Sequence, residues 1–245
     1  MRTKLIAIGD IHGREIWKDI VNQNTDANKF VFIGDYFDNA DINGNDQANN
    51  FLDICQFKKD NWDKVVMLLG NHDFHYLNII NKNTGNITQY SGYNAVYSIQ
   101  FTEILNNALR SGLIDLCYAH LQKTLFSHAG LTQTWCNENN IRWNKPLNSQ
   151  LAKLYMLHPD RFDFRSGRNF DKYGDDITQG PLWVRLPSLS MDKLPGFIQV
   201  VGHTRQKEIK GCNFLYDDIV CIDALEWGKY LVVENNILRE ETILK

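Results

Sequence analysis

Leu5-Ile6-Ala7-Ile8-Gly9-Asp10-Ile11-His12-Gly13 is an apolar run stopped by a glycine and followed at once by a carboxylate and an imidazole. Such a run, bounded by turn residues, is long enough for a buried strand and too short for a buried helix. The pattern recurs in the first third of the chain. Phe30 to Ile33 runs into Gly34-Asp35-Tyr36-Phe37-Asp38, and Val65 to Leu69 runs into Gly70-Asn71-His72-Asp73. Helix-like stretches follow over Arg14 to Asn22, Gln47 to Lys59 and Phe74 to Ile80. Repetition of β-loop-α in this form predicts an α/β sheet with crossover connections.

Working outward, Ala95 to Leu109 has apolar spacing suited to a helix, and Leu113 to Ala119 with Thr124 to Ser127 reads as a hairpin or as successive strands. Helices are expected from Leu131 to Leu157, broken near Pro146. From Pro159 to Pro195 the periodicity dissolves, and a long irregular segment of this kind is usually a lid or a substrate loop. Strand signals return at Phe197 to Val201, Ile219 to Asp223, Tyr230 to Glu234 and Ile237 to Glu240. Their close spacing predicts antiparallel pairing and a second sheet packed on the first. No repeat, low-complexity tract or linker divides the chain, so a single domain over residues 1–245 is expected.

Of the 245 residues, 43% are hydrophobic and 22% charged, enough apolar surface to bury a sizeable core. The net charge of -3 gives no general attraction to nucleic acid or to an anionic membrane. The apolar run after Met1-Arg2-Thr3-Lys4 ends at Gly9-Asp10, too soon for a signal peptide, and no later stretch approaches a membrane span. A cytoplasmic location is the expectation. Cys55, Cys117, Cys136, Cys212 and Cys221 are widely spaced and never form C-x-x-C, which points to structural thiols rather than disulfides or a thiolate zinc site.

Two further clusters, Ser127-His128-Ala129-Gly130 and Gly202-His203-Thr204, also follow apolar runs. Singly, a Gly-Asp pair makes a turn and a lone histidine is usually a hydrogen-bonded structural residue. Five clusters at strand ends are different, because parallel strands bring those ends together. Carboxylate, imidazole and amide donors without thiolate suit Mn²⁺, Fe or Zn²⁺ with room for water. A carboxylate bridging two cations suits in-line displacement at phosphorus.

In this order the clusters closely resemble the calcineurin-like metallophosphoesterases, particularly the phosphoprotein phosphatase branch that includes bacterial and phage-type Ser/Thr phosphatases and symmetrical Ap4A hydrolases. The resemblance runs from residue 9 to residue 203 and implies a two-sheet β-sandwich of mixed sheets flanked by helices. It implies two divalent metal ions, manganese first, with iron, zinc, nickel, cobalt and magnesium as the others. Asp10 and His12 would bind the first metal, Asp35 would bridge, and Asn71, His128 and His203 would complete the second. Arg205 stands where many relatives outside this branch carry a further histidine. The implied reaction is attack by a hydroxide shared between the metals, with His72 as general acid and Asp38 orienting its imidazole.

The chain departs from the family pattern at Asn39-Ala40, where an Arg-Gly pair is usual and the arginine grips phosphate. Arg185, in Pro181-Leu182-Trp183-Val184-Arg185, is the first candidate to compensate and Arg205 the second, with Asn39 itself at the substrate. Arg161, Arg165 and Arg168 are interspersed with Asp160, Asp163 and Asp171 and read as a solvated face. His75 is expected at the surface or behind the site, and Asp223, which follows a strand-like run and could hydrogen-bond near the site, in a turn or at the strand end. A phosphomonoesterase acting on phosphopeptides or small monoesters leads. An Ap4A-type or nucleotide phosphohydrolase is its rival, and a catalytically silent metal-binding scaffold is the reading from another class.

Overall fold

The computed structural model describes residues 3–79, 89–121, 123–165, 171, 173–209, 218–235 and 237–244. The first sheet takes its centre from three parallel strands, β1 (Lys4–Ile8), β2 (Lys29–Phe32) and β3 (Val65–Leu68), linked through α1 (Trp17–Gln23) and α2 (Gly44–Asp60). After β3 come α3 (Asn71–Phe74), a 3₁₀ turn at His75–Leu77, α4 (Ser98–Arg110) and the short β4 (Ile114–Asp115), which extends the sheet in parallel beside β3. Next are β5 (Tyr118–His120), β6 (Thr124–Phe126), α5 (Gln133–Glu138), α6 (Leu147–Leu157), α7 (Leu186–Met191), β7 (Ile198–Val201), β8 (Ile219–Cys221), β9 (Lys229–Glu234) and β10 (Ile237–Thr242). The two sheets have the orders β10-β9-β1-β2-β3-β4 and β5-β6-β7-β8.

Alternation along the central strands divides the core into two layers. Ile6, Ile8, Phe30, Phe32, Val65 and Met67 point to one face, where Trp17 and Ile20 of α1, Phe51 and Ile54 of α2, and Phe101 and Leu105 of α4 cover them. Leu5, Ala7, Val31, Val66 and Leu68 point the other way and meet Phe126, Val200 and Val220 of the second sheet. Bulky aromatics thus fill the uneven space under the helices, while between the sheets smaller aliphatic residues, mostly Val, Leu and Ala, predominate.

Several expectations are revised. The late strands do not all pair antiparallel in one added sheet. β9 and β10 form an antiparallel hairpin that joins the first sheet beside β1, whereas β7 lies parallel to both β6 and β8 in the second. Of the hairpin-or-strands pair, β5 and β6 are a hairpin, and β4 belongs to the other sheet. The helix expected over Phe74 to Ile80 begins earlier, at Asn71, and ends where Asn78 turns left-handed at φ 54°; Ile80 lies outside the described residues, as do Arg168 and Cys212. The irregular segment contains α7. The four described cysteines are buried and free. Among the described residues no helix is long and apolar enough to cross a membrane.

Candidate metal centre and catalytic site

The five clusters lie just beyond β1, β2, β3, β6 and β7, three from one sheet and two from the other. His12, Asp35, Asp38 and His203 all have positive φ, at 43°, 52°, 69° and 62°. Left-handed backbone costs a non-glycine residue roughly 1–2 kcal/mol, so its concentration here marks a constellation held by its surroundings. Two glycines allow the close approach. A Cβ on Gly70 would overlap Asp35 Oδ1, and one on Gly202 would overlap Asp10 Oδ1.

The protons of three imidazoles, those of the buried His128 and His203 and the half-buried His12, can be located. A carbonyl oxygen only accepts, so the ring nitrogen facing it carries the hydrogen. His12 Nδ1 lies 2.6 Å from the Phe37 carbonyl, His128 Nδ1 3.1 Å from Ile33 and His203 Nε2 3.2 Å from Trp183. Burial depresses the pKa of all three rings and keeps them neutral, so each opposite nitrogen is a bare lone pair. These lone pairs face other acceptors. His128 Nε2 is 2.7 Å from Asn71 Oδ1 and 3.4 Å from Asp35 Oδ1. His203 Nδ1 is 2.8 Å from Asn71 Oδ1, and His12 Nε2 is 3.8 Å from Asp35 Oδ2.

Acceptors therefore converge on one another with no hydrogen between them, a repulsive arrangement that cations relieve. Asp10, His12 and Asp35 each place a ligand atom within 4.8 Å of the others'. His128 approaches the opposite oxygen of Asp35, and His128 and His203 both meet Asn71 Oδ1. The donor set fits two divalent ions sharing Asp35, with the far nitrogens fixed by backbone carbonyls as metal-binding histidines usually are. Burial, with Asp223 and Asp35 nearby, pushes the Asp10 carboxyl well above the usual range. A metal ion would displace that proton.

His72 is oriented from two directions. Its backbone N–H donates to Asp35 Oδ1 at 2.9 Å, and its Nδ1 lies 2.8 Å from Asp38 Oδ2. Burial opposes protonation of the ring, but Asp35 and Asp38 outweigh it and raise the imidazole to about 9. Asp38 is held on other sides too. His75 Nε2 lies 2.7 Å from the same oxygen, off the hydrogen-bonding direction, and the Tyr76 hydroxyl donates to Oδ1. His75 is buried rather than at the surface. The sequence held a signal for this: residues at i, i+3 and i+4 share a helix face, and His72, His75 and Tyr76 have that spacing.

A cleft of about 510 Å³ opens over these groups, with Arg14, Arg185 and Arg205 on its wall. Arg185 is held by the carbonyls of Tyr173 and His203 at 3.2 and 2.8 Å. Arg205 is exposed, pairs with Glu226 and lies over the Trp227 ring. The Asn39 amide is engaged with backbone, donating to the His12 carbonyl at 3.0 Å and accepting from Asp41 N at 2.9 Å. Neither Arg161 nor Arg165 lines the cleft. Asp223, which follows the strand-like run of β8, does line it; Arg14, which also does, was not marked by any strand-end pattern.

Residues 3–186 match the family of calcineurin-like phosphoesterases. The chain belongs to that family. A comparison with curated proteins returned no match. Among solved structures, it is similar to a mutant of a cold-active protein tyrosine phosphatase (19% identity, 99% of this chain and 80% of that one, TM-score 0.59). It is also similar to a protein provisionally described as a diadenosine tetraphosphatase (15% identity, 98% and 93%, TM-score 0.53). A third is a protein serine/threonine phosphatase from Saccharomyces cerevisiae (14% identity, 99% and 80%, TM-score 0.52). At these identities the likeness establishes the fold, two mixed sheets flanked by helices, and membership of the family brings metal-dependent phosphoester hydrolysis with it.

Proposed function

We propose that this phosphoesterase is a phosphomonoesterase of the Ser/Thr phosphatase type. The observation that carries the reading is the proton-free convergence of Asp35, Asn71, His128 and His203 beside a histidine held by Asp38. Asp10, His12 and Asp35 would hold one divalent cation and Asp35, Asn71, His128 and His203 the other, with Mn²⁺ first among the ions that such ligands accept. When bound, the pair of cations supplies an activated water and neutralises charge on the phosphoryl oxygens.

The rest falls to the chain. Asp38 holds Nδ1 of His72, so Nε2 is the nitrogen that faces outward and protonates the leaving oxygen. Arg185, pinned by two carbonyls along one edge, keeps part of its guanidinium for the phosphoryl group. The test is turnover of p-nitrophenyl phosphate, its bis-ester, phosphoserine and phosphothreonine peptides and diadenosine tetraphosphate with Mn²⁺. Monoester and phosphopeptide cleavage is expected to dominate. Preference for the tetraphosphate would move the reading to the nucleotide rival, and inactivity on every one of these would sink the enzyme reading.

A further inference from the structure

A phosphate dianion entering a cleft walled by Asp10, Asp35, Asp38 and Asp223 needs cationic partners besides metal ions. Three arginines line that wall, and they differ in what already holds them. Arg205 is committed to Glu226 and to the Trp227 ring, and it is exposed. Arg185 is fastened by the carbonyls of Tyr173 and His203. Arg14 is half-buried, and among the described residues its guanidinium makes one long hydrogen bond, 3.4 Å from Nη1 to the Ile11 carbonyl, and no ion pair within 4.0 Å. Among the described residues its other donors have no hydrogen-bond partner, and the side chain lines the cleft with the carboxylates of Glu226, Asp223 and Asp10 near enough to act on its charge.

Its position follows from the local backbone. Left-handed turns at His12 and Gly13, φ 43° and 70°, bring the chain back after the first cluster, so Arg14 lies at the mouth beside Asp10 and His12 rather than in the helix that starts at Trp17. Asn39 joins the same place, its Nδ2 donating to the His12 carbonyl at 3.0 Å. Gln47 closes the junction, bonded to Asn39 at both its backbone groups and packed against Gly13. Position 39 is thus tied to the loop that leads into Arg14, and both residues line the same cleft. The side chain at 39 is consumed in knitting the loops, and the cation stands at 14.

We propose that Arg14 is a substrate-binding residue that grips the phosphoryl oxygens together with Arg185, taking over the cationic role that Asn39 cannot fill. The inference rests on the phosphomonoesterase reading above. It commits the outer end of the site to a dianionic monoester, since two guanidiniums suit a terminal phosphoryl group better than a singly charged diester.

The experiment uses the full chain loaded with Mn²⁺, compared as wild type, Arg14→Ala and Arg14→Lys. KM for p-nitrophenyl phosphate is measured beside direct titration of inorganic phosphate by calorimetry, with metal content assayed in each sample. Loss of a charge-assisted contact predicts roughly ten- to hundredfold weaker phosphate binding and a matching rise in KM for Arg14→Ala. Arg14→Lys should recover part of it, and bound metal should be undiminished. Wild-type phosphate affinity in both variants, with the wild type active, would overturn the role of Arg14 alone. So would weakening that tracks lost metal. A metal-loaded wild type that neither binds phosphate nor cleaves monoesters would bring down the phosphomonoesterase reading as well.

Discussion

His72 contacts one carboxylate through its backbone and another through its ring, and the two contacts set different properties. The amide bond to Asp35 fixes where the residue sits, while Asp38 fixes which nitrogen carries the outward proton. Replacing His72 with Asn is expected to lower kcat by about 10²–10⁴-fold, the range for loss of a general acid, with metal content unchanged by elemental analysis. Asp223 offers a second check. Burial and Asp35 raise its carboxyl from 3.8 to about 6. A raised folded-state pKa means stability that is full below the unfolded value and lost as pH climbs through the folded one. Melting temperatures of the metal-free protein should show this loss between pH 4 and 6, and Asp223→Asn should lose less over that interval. Equal pH slopes in the two proteins would contradict the assignment. The candidate ligands were legible because each follows an apolar run in a cluster that contains a glycine. Arg14 was not, since its place depends on two left-handed residues that no local pattern announces.

At the scale of elements, the site is built from loops that approach closer than side chains normally permit. Gly202→Ala would drive a methyl group into Asp10, and its divalent-metal affinity is expected to fall by roughly 10–100-fold when titrated against wild type. Gly92 tests the other flank. It has φ +94°, and a Cβ there would sit 3.1 Å from His72 Cε1 and 3.2 Å from Asp38 Cβ. Gly92→Ala should slow turnover severalfold or more while leaving metal binding intact, and it should cost about 1–2 kcal/mol of stability in denaturant titrations from the left-handed backbone alone. Strands and their order along the chain were readable from alternation and run length. Their partners were not. The alternation of Tyr230 to Glu234 shows a strand with one face to the core, but nothing in it tells that the neighbour is β1, 220 or more residues earlier.

Across the whole molecule, the two sheets meet through the site as well as through the core. His203, beyond β7, donates its backbone N–H to Asp10, beyond β1, and His128, beyond β6, abuts Asn71, beyond β3. Ions held there would bind the native arrangement of both sheets and not the unfolded chain. Removing them with a chelator should lower the thermal midpoint, and readdition at a hundredfold excess over Kd should restore about 2.7 kcal/mol per site. A midpoint indifferent to chelator and to added Mn²⁺ would argue against ions bridging the sheets.

Asp73 carries one further consequence. Its buried carboxylate accepts three backbone N–H groups, from Asp35 at 2.9 Å, Tyr36 at 2.7 Å and Gly70 at 2.8 Å, pinning two strand-end loops to one side chain. Loop amides ordinarily trade their hydrogens with solvent quickly, through small local openings. These three can open only by stranding a carboxylate in the interior, so in deuterated water they should be as slow as the central strands, and Asp73→Asn should quicken all three together.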